Sequence, residues 1–441
     1  MGIKVAKFGG SSLADENQFK KVKAIIEADP DRRYIVPSAP GKRFSEDIKI
    51  TDMLYRCYDL AKKGENFDED FALIEKRYND IIAALSLTLS LADDFSEIKS
   101  AMRAKVGRDY AASRGEYLNG KILAEYLGYE FIDAAEVIFF DENGKYAAEH
   151  TDYILSERLK NVERAVIPGF YGISANDTIK TFSRGGSDIT GAIVAKAAKA
   201  DLYENWTDVS GFLCADPRIV KNPRPIGIIT YRELREPSYM GATVLHEEAI
   251  FPVKSAGIPI NIRNTNRPED CGTMIVASVS TLREEDNPNV ITGIAGKKNF
   301  SVITLEKDRM NEEVGFGRRV LEVLERHKIC FEHMPSGIDT MSVVVDDLSF
   351  TKDKSEIIKD LFDETGADSI DVESGIALVA VAGHGMKNIR GTAAKIFTAL
   401  AEANINIRMI DQGSSELNII IGVNNDDFEE SIRTIYAAFE N

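Results

Sequence analysis

Ile3–Phe8 alternates apolar residues with lysines and stops at Gly9-Gly10, the period of a strand that runs into a tight turn. Over Asp15–Ala28 the period changes: Phe19, Val22, Ile25 and Ile26 fall on one helical face. Tyr34–Val36 is a short apolar run closed by Pro37. Helical spacing returns over roughly Thr51–Ala61 and Asp70–Ser86, and again from near Ala111. Ala165–Ile167, Phe170-Tyr171-Gly172 and a helix over Thr190–Lys199 continue the alternation of strand, loop and helix. Such alternation predicts an α/β domain with helices on a mostly parallel sheet. The pattern fades near Thr281, and the charged stretch Arg283–Asn289, with Asn287-Pro288, reads as a linker.

The last third of the chain repeats itself. Phe300–Leu305 reads as a strand, Gly315 as a break, Val320–Arg326 as a helix and Ile329–Phe331 as a second strand. Moving 76 residues on gives Ile376–Val381, Gly391, Ile396–Glu402 and Ile405–Ile407. The same offset relates Ser336-Gly337 to Gln412-Gly413 and Val343-Val344 to Ile419-Ile420, and each copy ends in a helix (Glu356–Leu361, Glu430–Ala437). Two βαββαβ units follow, each with one sheet face under two helices. The expected division is residues 1–285 for the α/β domain, 290–365 for the first repeat and 370–441 for the second.

At 441 residues the chain has room for two to four domains of roughly 100–200 residues each. Its net charge of −17 argues against nucleic acid or an anionic membrane as the main partner. Cys57, Cys214, Cys271 and Cys330 are widely spaced, without C-x-x-C, so neither a zinc ribbon nor a disulfide framework is expected. The N-terminus runs straight into a strand with no secretory pattern, and no apolar run reaches a membrane span of ~18 residues. A reduced, cytoplasmic setting is the expectation.

The Walker phosphate loop, the protein-kinase landmarks and a dinucleotide G-x-G-x-x-G are all missing. Three other segments suit anions. Lys7-Phe8-Gly9-Gly10-Ser11-Ser12 puts a lysine at a strand end, two glycines that permit close approach, and two hydroxyls before a helix. Ser183-Arg184-Gly185-Gly186-Ser187-Asp188 also precedes a helix. Its arginine can fork onto a carboxylate or phosphate, and Asp188 either caps the helix or orients a catalytic lysine. Trp206-Thr207-Asp208-Val209, followed by Asp216-Pro217-Arg218, is either a nucleotide contact or an ordinary polar turn.

Taken together, K-F-G-G-S-S, R-G-G-S-D and W-T-D-V-x-G…D-P-R resemble the aspartate kinases of the amino-acid kinase superfamily, and the duplicated third resembles their paired ACT domains. The resemblance covers essentially the whole chain. It implies a three-layer α/β/α kinase domain followed by two ferredoxin-like ACT domains. The implied reaction moves the ATP γ-phosphate to the β-carboxylate of L-aspartate, the first step toward lysine, threonine and methionine. By the same resemblance, Lys7 contacts the transferring phosphoryl group and Asp188 orients that lysine. Gly9, Gly10 and Ser11 line the phosphates, and Thr207, Asp208, Asp216 and Arg218 contact the nucleotide. Ser38, Thr51 and Ser187 lie on the substrate side. Glu116 binds the α-ammonium and Arg184 the α-carboxylate. Mg²⁺ is expected on ATP oxygens and water, so no protein metal ligand is named. Three departures stand out. Leu213 follows Phe212 where many relatives have tyrosine. Thr243 replaces a lysine that usually assists the phosphates, with Lys254 or Arg218 as candidate replacements. The segment Ala39–Ile50 is longer than in many relatives.

The resemblance also implies feedback by lysine or threonine, lysine favoured, at an interface of ACT units. The matching residues are Met310, Glu313, Gly315, Phe316, Gly317, Phe331, Glu332, Ser336, Gly337 and Asp339, with Glu332 or Asp339 for an effector ammonium. ACT units usually complete their sheets across a two-fold, so a homodimer or dimer of dimers is expected. Two other readings stay open: another amino-acid kinase, and a non-catalytic amino-acid sensor that kept the fold. The ACT pair and Trp206-Thr207-Asp208 speak against the first, and Thr243 keeps the second in play. A fused homoserine dehydrogenase is not expected in a chain that ends just after the second repeat.

Overall fold

A computed structural model describes residues 2–183, 185–234, 247–278, 290–413 and 417–440, apart from the side chains of residues 247–249 and 388. The chain forms two compact units. The first holds the chain up to Phe212, then Pro225–Arg232 and the described residues 247–278. The second holds Leu213–Arg224, Glu233 and Leu234, and the described residues from 290 on.

The first unit opens with β1 (Lys4–Phe8), α1 (Glu16–Glu27) and β2 (Arg32–Pro37). Four helices intervene before the next strand: α2 (Ile50–Lys63), α3 (Asp68–Ala84), α4 (Ala92–Arg103) and α5 (Arg108–Leu127). Then come β3 (Glu130–Phe131), β4 (Phe139–Phe140), α6 (Ala148–Leu159), β5 (Ala165–Val166), β6 (Tyr171–Ser174) and β7 (Ile179–Thr181). The unit closes with α7 (Gly186–Ala197), β8 (Leu202–Thr207), β9 (Ile228–Thr230), α8 (Glu247–Ala256), β10 (Ile260–Asn264) and β11 (Thr273–Val276).

Eight strands form one sheet in the order β3-β5-β2-β1-β8-β10-β11-β9. Every pairing is parallel except β10 with β11. A parallel sheet must be covered on both faces, and the alternation of side chains shows how. Ala6, Phe8, Ile35, Val166 and Trp206 join the core of α1 and α2–α5, through Phe19, Val22, Ile26, Leu54, Phe71, Leu118 and Ile122. On the opposite face α7 comes so close to β8 that a Cβ on Gly191 would lie 2.5 Å from the Tyr203 hydroxyl. The result is the expected three-layer sandwich. Helix α4 was not anticipated, although Phe95, Ile98 and Met102 carry the helical spacing that buries it.

Leu213–Arg224 is an excursion of the chain into the second unit. Ala215 and Val220 enter a core with Ile291, Ile294, Val379 and Val381. Arg224 donates to Glu440 at 2.9 Å, and its amide donates to the Tyr436 hydroxyl at 2.9 Å.

The repeats build one six-stranded sheet in the second unit, antiparallel throughout. The first supplies β12 (Gly293–Glu306), α9 (Phe316–Arg326), β13 (Phe331–His333), β14 (Thr340–Asp346) and α10 (Lys354–Thr365). The second supplies β15 (Ser369–Ala382), α11 (Thr392–Glu402), β16 (Met409–Asp411), β17 (Asn418–Asn424) and α12 (Phe428–Glu440). Helices α9 and α11 have the 76-residue offset at both ends. Each follows a left-handed glycine, Gly315 at φ 85° and Gly391 at φ 88°. Between β12 and β15, Phe300 faces its own equivalent Ile376, while Ile294 faces Val381 and Leu305 faces Ile370. The duplication is therefore folded about an internal two-fold at the centre of that strand pair.

Candidate active site

Strand β1 ends in a buried cation. Lys7 is 8% exposed and lies opposite Asn205 of β8 in the parallel register. Its Nζ is 2.5 Å from Asp188 Oδ1 and donates a long 3.4 Å hydrogen bond to Asn205 Oδ1. The Asn205 Nδ2 donates to the same Asp188 oxygen at 2.9 Å. Asp188 is the third residue of α7, whose N-cap is Gly185, left-handed at φ 58°. A sheet register and a helix start thus fix one ammonium among two acceptors. Asn205 was not anticipated. In sequence it is one of several polar residues in a mixed strand, and only the register places it beside Lys7.

The glycine turn follows directly. Gly9 donates its N–H to the Trp206 carbonyl at 2.9 Å, which extends the β1–β8 pairing, and a Cβ there would approach Lys7 Nζ to 3.7 Å. A Cβ on Gly10 would lie 2.8 Å from the Ala39 carbonyl oxygen and 3.1 Å from the Gly41 nitrogen. Only glycine permits that approach. Ser11 is half-buried, and Ser12 Oγ is 2.7 Å from the Thr265 hydroxyl.

The substrate-side candidates join this turn through backbone contacts. The Ser38 amide donates to the Phe8 carbonyl at 3.0 Å, and Asn119 Nδ2 donates to the Ser38 carbonyl at 2.7 Å. Thr51 is in the first turn of α2. Ser187 packs on Gly169, where a Cβ would lie 2.7 Å from its Cβ and Oγ, and the Gly169 amide donates to Pro37 beside Ser38 at 3.1 Å. Glu116 lies one turn before Asn119 on α5, 5% exposed, and its carboxylate accepts the Ala39 amide. Its Oε2 has no hydrogen-bond partner among the described residues. Burial pushes its carboxyl up to about 8, against the opposing pull of that amide and Arg114. An orphaned, desolvated carboxylate is what an incoming ammonium would satisfy.

Not every candidate joins this cluster. Thr207 and Asp208 lie at the end of β8, with the Thr207 hydroxyl donating to Asp208 at 3.2 Å. Asp216 and Arg218 pair with each other at 2.5 Å on the excursion that belongs to the second unit. Arg184 and Thr243 lie outside the described residues. Lys254, a candidate replacement for the missing lysine, is in the last turn of α8.

A model of the amino acid kinase family matches residues 2–264, and one of the ACT domain matches residues 379–439. The chain is 37% identical to Aspartokinase 3 of Bacillus subtilis (strain 168), over 99% of this chain and 98% of that protein. The chain belongs to the aspartokinases. A solved aspartate kinase from Clostridium acetobutylicum, described as an allosteric enzyme, is 55% identical with a TM-score of 0.91, covering all of both chains. The lysine-sensitive aspartokinase 3 of Escherichia coli (strain K12) is 26% identical over 99% of this chain and 98% of that protein. A solved Escherichia coli aspartokinase III in complex with lysine and aspartate is 25% identical over both full chains, with a TM-score of 0.73.

In this aspartokinase the effector candidates gather in the first repeat. Met310 and Phe316 are buried in its core. Glu313 is engaged by Lys307 at 2.7 Å and by Arg319. Gly317 lies against Met341, and a Cβ there would meet its Cε at 3.4 Å. Asp339 accepts the Arg309 amide at 2.9 Å, and the Gly337 amide donates to Thr340 at 2.7 Å beside the bridge of Ser336 with Met341. Phe331 is exposed at 45%. Burial raises the neighbouring Glu332 carboxyl, and its Oε2 has no partner among the described residues. Of the two acids proposed for an effector ammonium, Asp339 is exposed, whereas Glu332 keeps a buried oxygen without a partner among the described residues.

The raised Glu116 carboxyl is directly measurable. Infrared spectra of the ligand-free chain should show a protonated carboxyl band at pH 6 that titrates away near pH 8. That band should be missing from Glu116→Gln; its persistence there would assign the shift to another residue.

Proposed function

We propose that the chain transfers the γ-phosphoryl group of ATP to the β-carboxylate of L-aspartate, releasing ADP and 4-phospho-L-aspartate. The observation that carries this reading is the buried Lys7–Asp188–Asn205 cluster at the mouth of the sheet, next to the Gly9-Gly10 turn. The nucleophile is a carboxylate with an ordinary pKa near ~3.9, so it arrives ionised and needs no general base. One of its oxygens bonds to the γ-phosphorus as the bond from that phosphorus to the β,γ-bridging oxygen breaks. ADP leaves with the electron pair, and no proton changes place. The obstacle is repulsion between two anions, and catalysis of such a transfer is mostly positioning and charge stabilisation. Lys7 supplies a preorganised positive charge that Asp188 holds in place.

Among the described residues no three His, Cys, Asp or Glu side chains converge as a metal cage. In this reading Mg²⁺ would be carried by phosphate oxygens and water. When bound, the ion would neutralise phosphate charge. Glu116 takes the aspartate α-ammonium, whose arrival restores its ionised form. Arg184 takes the α-carboxylate, and Ser38, Thr51 and Ser187 border the side chain. Thr207 and Asp208 meet the nucleotide. Asp216 and Arg218 are nucleotide contacts in the same reading.

The product feeds lysine, threonine and methionine synthesis, and feedback acts through the ACT repeats. Lysine is the favoured effector. The likeness to a lysine-sensitive aspartokinase supports that choice, and the unpartnered buried oxygen of Glu332 suits an effector ammonium. The assembly is a homodimer or dimer of dimers through the ACT repeats, in the cytoplasm; no described helix is long and apolar enough to cross a membrane.

Lys7→Ala should lower kcat at least ~100-fold in a hydroxylamine-trapping assay with aspartate and ATP, the scale of losing one preorganised charge donor. Turnover near the native rate would defeat the assignment. Lysine should inhibit the native chain, and Glu332→Gln should raise the inhibitory concentration about tenfold, a loss of about 1.4 kcal/mol in effector binding. If lysine, threonine and both together leave kcat and KM unchanged, the regulatory reading is wrong.

A further inference from the structure

Twelve residues, Ala39–Ile50, separate Ser38 from Thr51, and they sit directly on the glycine turn. The Gly41 amide donates to the Gly10 carbonyl at 2.8 Å, and a Cβ on Gly41 would lie 2.6 Å from the Gly10 carbonyl carbon. Irregular segments this close to each other bury carbonyls that no strand or helix satisfies, and such groups need a donor. One side chain provides it. Arg77 of α3 is 5% exposed. Its Nη1 donates to the Ile48 carbonyl at 2.9 Å, and its Nη2 to the Ala14 carbonyl at 3.2 Å and to the Gly41 carbonyl. Asp47 lies 3.4 Å from Nη1 and completes the charge balance, itself held by Arg43.

The three carbonyls belong to different parts of the candidate site. Ala14 ends the turn that carries Gly10 and Ser11. Gly41 follows Ser38 by three residues, and Ile48 precedes Thr51 by three. The next residue on the same helix continues the grip: Tyr78, fully buried, donates its hydroxyl at 2.8 Å to the Gly115 carbonyl beside Glu116. A planar fork with five donors can hold three oxygens at fixed spacing, whereas an ammonium on a flexible stem cannot.

We propose that Arg77 is a positioning residue for phosphoryl transfer, tying the glycine turn to the Ser38–Thr51 segment so that nucleotide and amino acid are held in register. This rests on the proposed aspartate kinase reaction. Arg77 touches neither substrate. Its loss should spare binding and spoil alignment, because small misplacements of reacting groups cost up to ~10²-fold in rate.

The test uses the full chain with ATP, aspartate and hydroxylamine, recording trapped aspartyl hydroxamate and released ADP together. Trp206 is the one tryptophan in the chain, and its fluorescence during urea unfolding reports whether each variant is folded. Arg77→Met should lower kcat at least tenfold, with KM for both substrates within twofold. Its ratio of hydroxamate to ADP should fall below the native value as phosphoryl groups are lost to water. That ratio does not depend on the folded fraction, so a purely structural defect leaves it unchanged. Arg77→Lys, the milder variant, should fold and give an intermediate kcat and ratio. The proposal is overturned by a native ratio in both variants, by a kcat within twofold of native, or by an Arg77→Lys chain without a native-like unfolding transition. If the native chain forms no hydroxamate, it is the aspartate kinase reading that fails.

Discussion

Burying an ammonium is costly unless its charge is met at close range, and Lys7 is met by Asp188 and Asn205 in the space between β1, β8 and α7. Much of the first unit can be understood from that constraint. The parallel register sets Lys7 against Asn205. Gly191 lets α7 lie against Tyr203, and the Tyr203 hydroxyl donates to the Asp188 carbonyl at 3.0 Å, which holds the helix start where its carboxylate reaches Lys7. The same strand end passes into Gly9 and Gly10, so charge and close backbone approach occur within four residues. Such a site can hold negative charge without reorganising.

Around this centre the turns are held by polar groups that lie inside the protein. Asn119 and Glu116 reach from α5 to Ser38 and Ala39, and Arg77 reaches from α3 to the turns on either side. The helices inserted between β2 and β3 therefore bury apolar surface and also supply donors to carbonyls that the sheet leaves unpaired. Within this arrangement one oxygen of Glu116 stays buried without a partner among the described residues. The second unit shows a different economy: two copies of one unit share a sheet about an internal two-fold, and Glu332 in the first copy retains an unused oxygen.

The sequence made legible what is local or periodic. Lys7, the two glycines and Asp188 stood out as strand-end and helix-start chemistry, and the repeat was readable because its offset of 76 residues survives in α9 and α11. Contacts made across the chain were not legible. Asn205 is one of several polar residues in β8 until the register pairs it with Lys7. Arg77 looks like one more charge on a mixed helix until the Ala39–Ile50 segment is folded beneath it. The two-fold between β12 and β15 depends on strand pairing, which the repeat alone does not specify. Asp216 and Arg218 follow β8 closely in sequence, but Ala215 and Val220 carry their segment into the second unit's core.

The claim that Asp188 acts through Lys7 can be tested by the kcat of the double variant Lys7→Ala/Asp188→Ala beside the two single variants. Groups that work as a unit give strongly non-additive losses. The double variant should be no slower than Lys7→Ala alone, within about twofold. If the two losses multiply, Asp188 serves a separate function and the buried ion pair is not the centre of the site.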